Sequence, residues 1–176
     1  LLLLDWDNFW YSLYNRFGVG EMNIERRIKA VVEWAESIGG LIGGHGFVFA
    51  PEHLTSVHRE ICLKNKFQIM ICPKKYIAKA QQNLKSGKPE NRVDIVDDAI
   101  IDFAKMMAGH PDFKTICLVS GDNDYAPLFR DLGGRGIIRS LAAPTIDSLS
   151  RNKELLNLVD TSSITGKKLL LMLDRI

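Results

Sequence analysis

The sequence predicts an α/β fold built on a mostly parallel sheet that helices cover on both faces. Three observations predict it. Short apolar runs without polar alternation recur along the chain, the pattern of strands buried on both sides. Between them lie segments with apolar residues at three- and four-residue steps, the pattern of amphipathic helices. The two patterns alternate from end to end, as crossover connections between parallel strands require.

Leu1–Leu4 is a continuous apolar run ended by Asp5-Trp6-Asp7-Asn8, and it reads as the first strand. It is too short to span a membrane or to serve as a signal segment. Phe9 to Phe17 carries aromatics, and a helix or a long loop is expected there. Ile24 to Ile38 predicts a helix, with Ile24, Ile28, Val31, Val32, Ala35 and Ile38 on one stripe and Gly39-Gly40 as the stop. Gly46 to Ala50 reads as a second strand closed by Pro51. His53 to Lys64 reads as a helix, and Phe67 to Cys72 as a third strand ended by Pro73. Tyr76 to Pro89 is polar and lysine-rich and reads as an exposed loop or flap. Val93 to Ala108 predicts a helix with Val93, Val96, Ile100, Ala104 and Met107 on one stripe. Thr115 to Val119 is a fourth strand, followed at once by Ser120-Gly121-Asp122-Asn123-Asp124. Tyr125 to Leu132 is a short helix stopped by Gly133-Gly134, and Gly136 to Leu141 is a fifth strand. Ser148 to Leu158 reads as helical, and the tail from Lys167 as a last amphipathic segment.

The chain of 176 residues is one domain's worth, and no repeat or linker divides it. With 46% hydrophobic and 25% charged residues it is neither disordered nor fibrous. The three cysteines, Cys62, Cys72 and Cys117, form no CxxC pair. That excludes a disulfide scaffold and points to a reducing compartment, the cytoplasm. His45, His53, His58 and His110 are scattered, which leaves a histidine-rich zinc site unsupported. Ser120 has no evident His partner for a nucleophilic triad. No glycine pattern matches a P-loop or a dinucleotide fingerprint. The net charge of +2, taken alone, argues against nucleic acid as a partner.

Acidic residues gather at strand ends. Asp5, Asp7 and Asn8 follow the first strand, and Asp122 and Asp124 follow the fourth. A parallel sheet puts both clusters at one edge, where ligands of such sheets bind. Any single strand-end aspartate is best read as a turn former or helix cap. Turn chemistry alone does not require so many at one edge. The helix from Val93 adds Asp94, Asp97, Asp98 and Asp102. At about 100° per residue, with Val93 at zero, the apolar stripe centres near Ile100. Asp97 borders that stripe, Asp94 lies further round, Asp98 further still, and Asp102 points away. The helix dipole accounts well for Asp94 in the first turn and less well for Asp97 and Asp98. A carboxylate bordering the core needs compensation, and a metal ion would supply it. Oxygen ligands from three segments suit a hard divalent cation, Mg²⁺ or Mn²⁺.

Three segments carry a family resemblance: Leu-Leu-Asp5-Trp-Asp-Asn8-Phe, then Val93-Asp-Ile-Val-Asp-Asp-Ala-Ile-Ile, then Leu-Val-Ser-Gly-Asp122-Asn-Asp124-Tyr-Ala-Pro-Leu. In this order, over almost the whole chain, the sequence resembles the NYN domain, a branch of the PIN-like ribonucleases, and the LabA-like bacterial proteins among them. The resemblance implies a Rossmann-like, three-layer α/β/α sandwich with a central sheet of about five strands. It also implies Mg²⁺ or Mn²⁺ on a cluster of acids and cleavage of RNA phosphodiesters. By position, Asp5 matches the first-strand metal carboxylate and Asn8 the polar residue that supports it. Asp122 and Asp124 match the fourth-strand acids, and Ser120 the small hydroxyl residue beside them. Asp97 and Asp98 match the helix acids, with Asp94 in reserve.

The charge balance conceals segregation. Lys64, Lys66, Lys74, Lys75, Lys79, Lys85, Lys88 and Arg92 make up a stretch in which Glu90 is the only acid. Lysines beside a metal site would steer an RNA strand inward. Lys74 and Lys75 directly follow a strand end, and Tyr76 beside them could stack on a base. The outer lysines read equally well as a solvated face. Trp6, Phe9, Trp10 and Tyr11 stand equally as a nucleobase cleft or as packing for the core or a homo-oligomer contact. Two rival readings remain. Asp5-Trp-Asp7 resembles the opening of haloacid-dehalogenase-like phosphatases, with Asp5 as nucleophile, Asp7 as acid/base and Lys74 as the motif lysine. Alternatively the domain binds RNA or a protein partner without cleaving anything.

Overall fold

The computed structural model describes the chain except residues 53, 73–74, 77–91, 94–95 and 152, and except the side chains of 19–21, 75–76, 92–93 and 150–151. Strand β1 spans Leu2–Asp5, β2 Gly46–Pro51, β3 Phe67–Cys72, β4 Lys75–Tyr76, β5 Arg92–Val93, β6 Thr115–Val119, β7 Ile138–Ala143 and β8 Leu170–Met172. Helix α1 spans Trp6–Glu21, α2 Ile24–Ile38, α3 Ser56–Lys64, α4 Val96–Met107, α5 Ala126–Gly134, α6 Ile146–Arg151 and α7 Lys153–Leu158. Six strands form one parallel sheet in the order β3-β2-β1-β6-β7-β8, and β4 pairs antiparallel with β5.

The leucine run explains why β1 lies at the centre. Leu1 and Leu3 point into one apolar cluster, with Val96, Ile100 and Ala104 of α4 and Leu128, Phe129 and Leu132 of α5. Leu2 and Leu4 point into another, with Phe9 and Leu13 of α1 and Ile28, Val31 and Ala35 of α2. Successive side chains of a strand face opposite ways, so an unbroken apolar run requires a layer of helices on each face. The result is the expected α/β/α sandwich. Burying each leucine in it contributes roughly 1.5–3 kcal/mol.

Several boundaries differ from the sequence reading. Helix α1 begins at Trp6 rather than near Phe9, because the Asp5 side chain caps it by accepting the Asn8 N–H. Thr55 caps α3 in the same way and starts it at Ser56. Helix α4 starts at Val96, because Arg92 and Val93 are held as a strand against Tyr76 and Lys75. The expected helix over Ser148–Leu158 is two short helices. The amphipathic tail supplies a sixth strand, β8, which pairs with β7 from Leu141↔Leu170 to Ala143↔Met172. No helix among the described residues is long and apolar enough to cross a membrane.

Candidate metal centre

Strand order locates the site. From β1 the sheet grows one way through β2 and β3, then resumes on the other side of β1 with β6. Crevices in open parallel sheets form outside the carboxyl ends of the strands at such a reversal. Leu4 pairs with Val119, so Asp5 at the end of β1 comes level with Ser120 just beyond β6.

Asp5 is only 3% exposed. Its Oδ1 accepts the Asn8 N–H at 3.1 Å. Its Oδ2 accepts from Ser120 Oγ at 3.2 Å and lies 3.1 Å from the Tyr125 hydroxyl. That hydroxyl is also 2.7 Å from Asp97 Oδ1. Burial pushes the Asp5 carboxyl up to about 7; the Asn8 N–H opposes the rise, the Asp97 charge adds to it, and the Tyr125 and Ser120 hydroxyls oppose it. Burial, with the charges of Asp5 and Asp97 beside it, raises the Tyr125 phenol and keeps it protonated. One phenol proton thus faces two carboxylates. Both contacts close when Asp5 itself is protonated, giving its proton to the Tyr125 oxygen while Tyr125 donates to Asp97.

The segment after β6 is held from several directions. Asn8 Oδ1 accepts the Gly121 N–H at 2.7 Å. Ser120 Oγ accepts the Asp122 N–H at 3.1 Å, and Asp122 Oδ1 accepts the Asp124 N–H at 3.0 Å. Asp122 thereby caps the single turn Asn123–Tyr125 that leads into α5. Gly121 is required by close approach, since a Cβ there would lie 2.4 Å from both Cβ and Oγ of Ser148.

Helix α4 completes the group. Its buried stripe is Val96, Ile100 and Ala104, and Asp97 borders it half-buried. One carboxylate oxygen from each of Asp97, Asp122 and Asp124 lies within 4.8 Å of the others. Carboxylate oxygens this close together could share a cation. The donors are all carboxylate oxygens, with no His or Cys, which fits Mg²⁺ or Mn²⁺ and argues against zinc.

Other expected residues fall outside this group. Asp5 sits behind it, linked through Tyr125 to Asp97. Asp98 is exposed and outside the cluster, being one helical step further from the core. Asp94 and Lys74 lie outside the described residues. Lys75 and Tyr76 are described only by their backbone pairing with Val93 and Arg92. Within the basic stretch, Lys64 pairs with Glu60 at 3.0 Å and Lys66 with Glu36 at 2.6 Å, both on the surface. Trp6 and Phe9 are buried in the core, Trp10 lies between Trp6 and Tyr14 with His58 beside it, and Tyr11 is exposed. A phosphatase nucleophile at Asp5 is at odds with its burial and with hydrogen bonds on both oxygens. Tyr125 is the residue sequence reasoning left without a role. The signal was a phenol, rather than a phenyl ring, at a core position directly after two acids.

A family model, the NYN domain, matches residues 1–165. The chain belongs to the NYN domain family. Asp5, Asp97, Asp122 and Asp124 therefore lie in a domain of the PIN-like nuclease superfamily. None of the curated proteins is significantly similar to this NYN chain. A crystal structure of a protein of unknown function from Vibrio parahaemolyticus resembles it with a TM-score of 0.58 at 18% identity, covering 97% of this chain and 90% of that one. At that identity the likeness speaks for the fold alone.

Proposed function

We propose that this NYN domain, read as one of the LabA-like bacterial proteins, is a Mg²⁺- or Mn²⁺-dependent ribonuclease that hydrolyses RNA phosphodiester bonds. The convergence of Asp97, Asp122 and Asp124 at the reversal of strand order carries the reading. These three side chains would hold the cation, which would supply Lewis-acid activation of water and offset charge on the phosphate. Asp5 and Tyr125 orient Asp97 from behind, as outer-shell partners of a ligand do. Asn8 and Ser120 fix the loop that presents Asp122 and Asp124, so these carboxylates need little rearrangement to act.

The test is cleavage of a labelled RNA with Mn²⁺ by the wild type and by Asp97→Asn, Asp122→Asn and Asp5→Asn. Losses of about 100-fold or more for the first two, with folding intact by circular dichroism, are expected. A smaller loss of about 10–100-fold is expected for Asp5→Asn. Undiminished cleavage by Asp97→Asn and Asp122→Asn would overturn the assignment.

A further inference from the structure

The two flanks of α1 are chemically different. Trp6, Trp10 and Tyr14 recur at four-residue steps on one flank, where Trp6 and Trp10 pack against His58 of α3. Asn8, Ser12, Asn15 and Arg16 recur at helical spacing on the other. This polar flank is the wall of a cleft of about 570 Å³. Gly121 and Asp122 form its inner end, and Thr145, Asp147 and Ser148 form the opposite wall. Asp122 belongs both to this cleft and to the carboxylate cluster, so cleft and metal centre are continuous.

Arg16 is the one cation among the described residues that line the cleft. Its side chain and those of Ser12 and Asn15 make no hydrogen bond or ion pair with other described residues. A guanidinium with no ion pair to a described residue, in a cleft that opens on the carboxylate cluster, is suited to a phosphate. Asn8 and Arg16 are eight residues apart, about 12 Å along the helix. A phosphate bound at Arg16, two helical turns from Asn8, is therefore one that flanks the group held at the carboxylates rather than the scissile one. The amide of Asn15 and the hydroxyl of Ser12 lie between and offer donors and acceptors to sugar and base edges. The volume is that of a small-ligand site.

We propose that this cleft is the subsite for a single RNA strand, in which Arg16 binds a phosphate next to the one positioned at Asp97, Asp122 and Asp124. The proposal rests on the ribonuclease reading above and adds the path of the strand: along the polar flank of α1, away from the aromatic flank. Arg16 is a substrate-binding residue and holds no metal.

The experiment compares the full chain with Arg16→Ala and Arg16→Lys. Binding of a fluorescein-labelled oligouridylate is followed by anisotropy over a KCl series, with Ca²⁺ present as an oxygen-seeking cation. Mn²⁺ binding is measured separately by electron paramagnetic resonance. Arg16→Ala is expected to weaken RNA binding about 5- to 10-fold and to flatten the slope of log affinity against log salt by about 0.7, the loss of a single phosphate contact. Arg16→Lys should restore most of the slope, and Mn²⁺ affinity should be unchanged in both variants. Equal RNA affinity and slope in wild type and Arg16→Ala would overturn the proposal, as would a wild type that binds no RNA. RNA binding that depends on Arg16, without metal-dependent cleavage, would keep the subsite and remove the ribonuclease reading. Cleavage by the wild type that Arg16→Ala leaves untouched would do the reverse.

Discussion

The phenol oxygen of Tyr125 lies 2.7 Å from Asp97 Oδ1, and the same oxygen reaches back to the buried Asp5 at 3.1 Å. Tyr125→Phe keeps the ring in the core and removes the link between the two acids. We expect a loss of about 1–3 kcal/mol in stability, because Asp97 loses its donor and the buried Asp5 loses its partner. Mn²⁺ affinity should fall about 10- to 100-fold, the usual effect of losing an outer-shell partner. Calorimetric titration of Mn²⁺ and urea denaturation check both; unchanged values in both would remove Tyr125 from the site.

Asp5 should make the apo protein less stable as pH rises. Its carboxyl is raised from 3.8 to about 7 in the folded chain. Between these values the folded state holds a proton that the unfolded state has released, so stability falls with increasing pH. Above about 7 both states are ionised and the deficit is complete. Asp5→Asn should therefore melt higher than the wild type at pH 8 in EDTA, by the equivalent of a few kcal/mol at most. The advantage should shrink towards pH 4. Thermal melts across that range decide it, and a variant less stable at pH 8 would contradict the sign.

The opposite sign is expected at the Arg139–Asp160 pair. Arg139 Nε lies 2.9 Å from one Asp160 oxygen and a terminal guanidinium nitrogen 2.6 Å from the other. Hydrogen bonding to Arg139 is the main reason the Asp160 carboxyl is held below its ordinary range. A depressed carboxyl stabilises above its unfolded pKa, and the benefit is lost as pH falls through the folded one. Asp160→Asn should be less stable than wild type at pH 7, and the gap should close in acid below the ordinary carboxylate range. A gap that persists there would mean that shape, not charge, makes the difference.

Gly121 and Ser148 should behave as a coupled pair. A Cβ at position 121 would meet the Ser148 Cβ and Oγ at 2.4 Å. Gly121→Ala is expected to destabilise by about 1–3 kcal/mol, as overpacking does. Ser148→Gly in the same chain should recover part of that loss, and a double-mutant cycle in urea measures it. Purely additive effects would show that the clash is relieved elsewhere.

Mn²⁺ itself should raise the melting temperature of the wild type in a concentration-dependent way, because a ligand of the folded state alone stabilises it. Asp122→Asn and Asp124→Asn should lose most of the shift. A shift retained by both would place the ion away from the carboxylate group.

The strands of the sheet centre were legible because their chemistry is redundant. Leu1–Leu4 admits no exposed face, and Ile24–Ile38 carries a full apolar stripe that became α2 residue for residue. Strand β8 was not legible, because Leu170–Met172 is a short edge segment whose half-buried side chains carry no periodic signal. Among the helix acids the wheel distinguishes positions only by their angle to the apolar stripe. The wheel set Asp97 at the border of the core, and Asp97 joins Asp122 and Asp124. It set Asp98 further round, and Asp98 is exposed. Asp5 looked like a ligand because it ends a strand. That strand end is buried, and its carboxylate lies outside the group of three. Depth below the surface is a property of the packed layers, which no local pattern records.

The placement of β6 beside β1 also bears on how the chain is made. Asp5 meets Ser120 and Tyr125 across more than 100 positions of sequence. Pairings that distant form late, after the intervening chain has been synthesised and folded. Until β6 inserts, Asp122 and Asp124 have no Asn8 to anchor their loop, and Asp97 has no Tyr125. A chain in which β6 has not yet inserted thus carries only fragments of the centre.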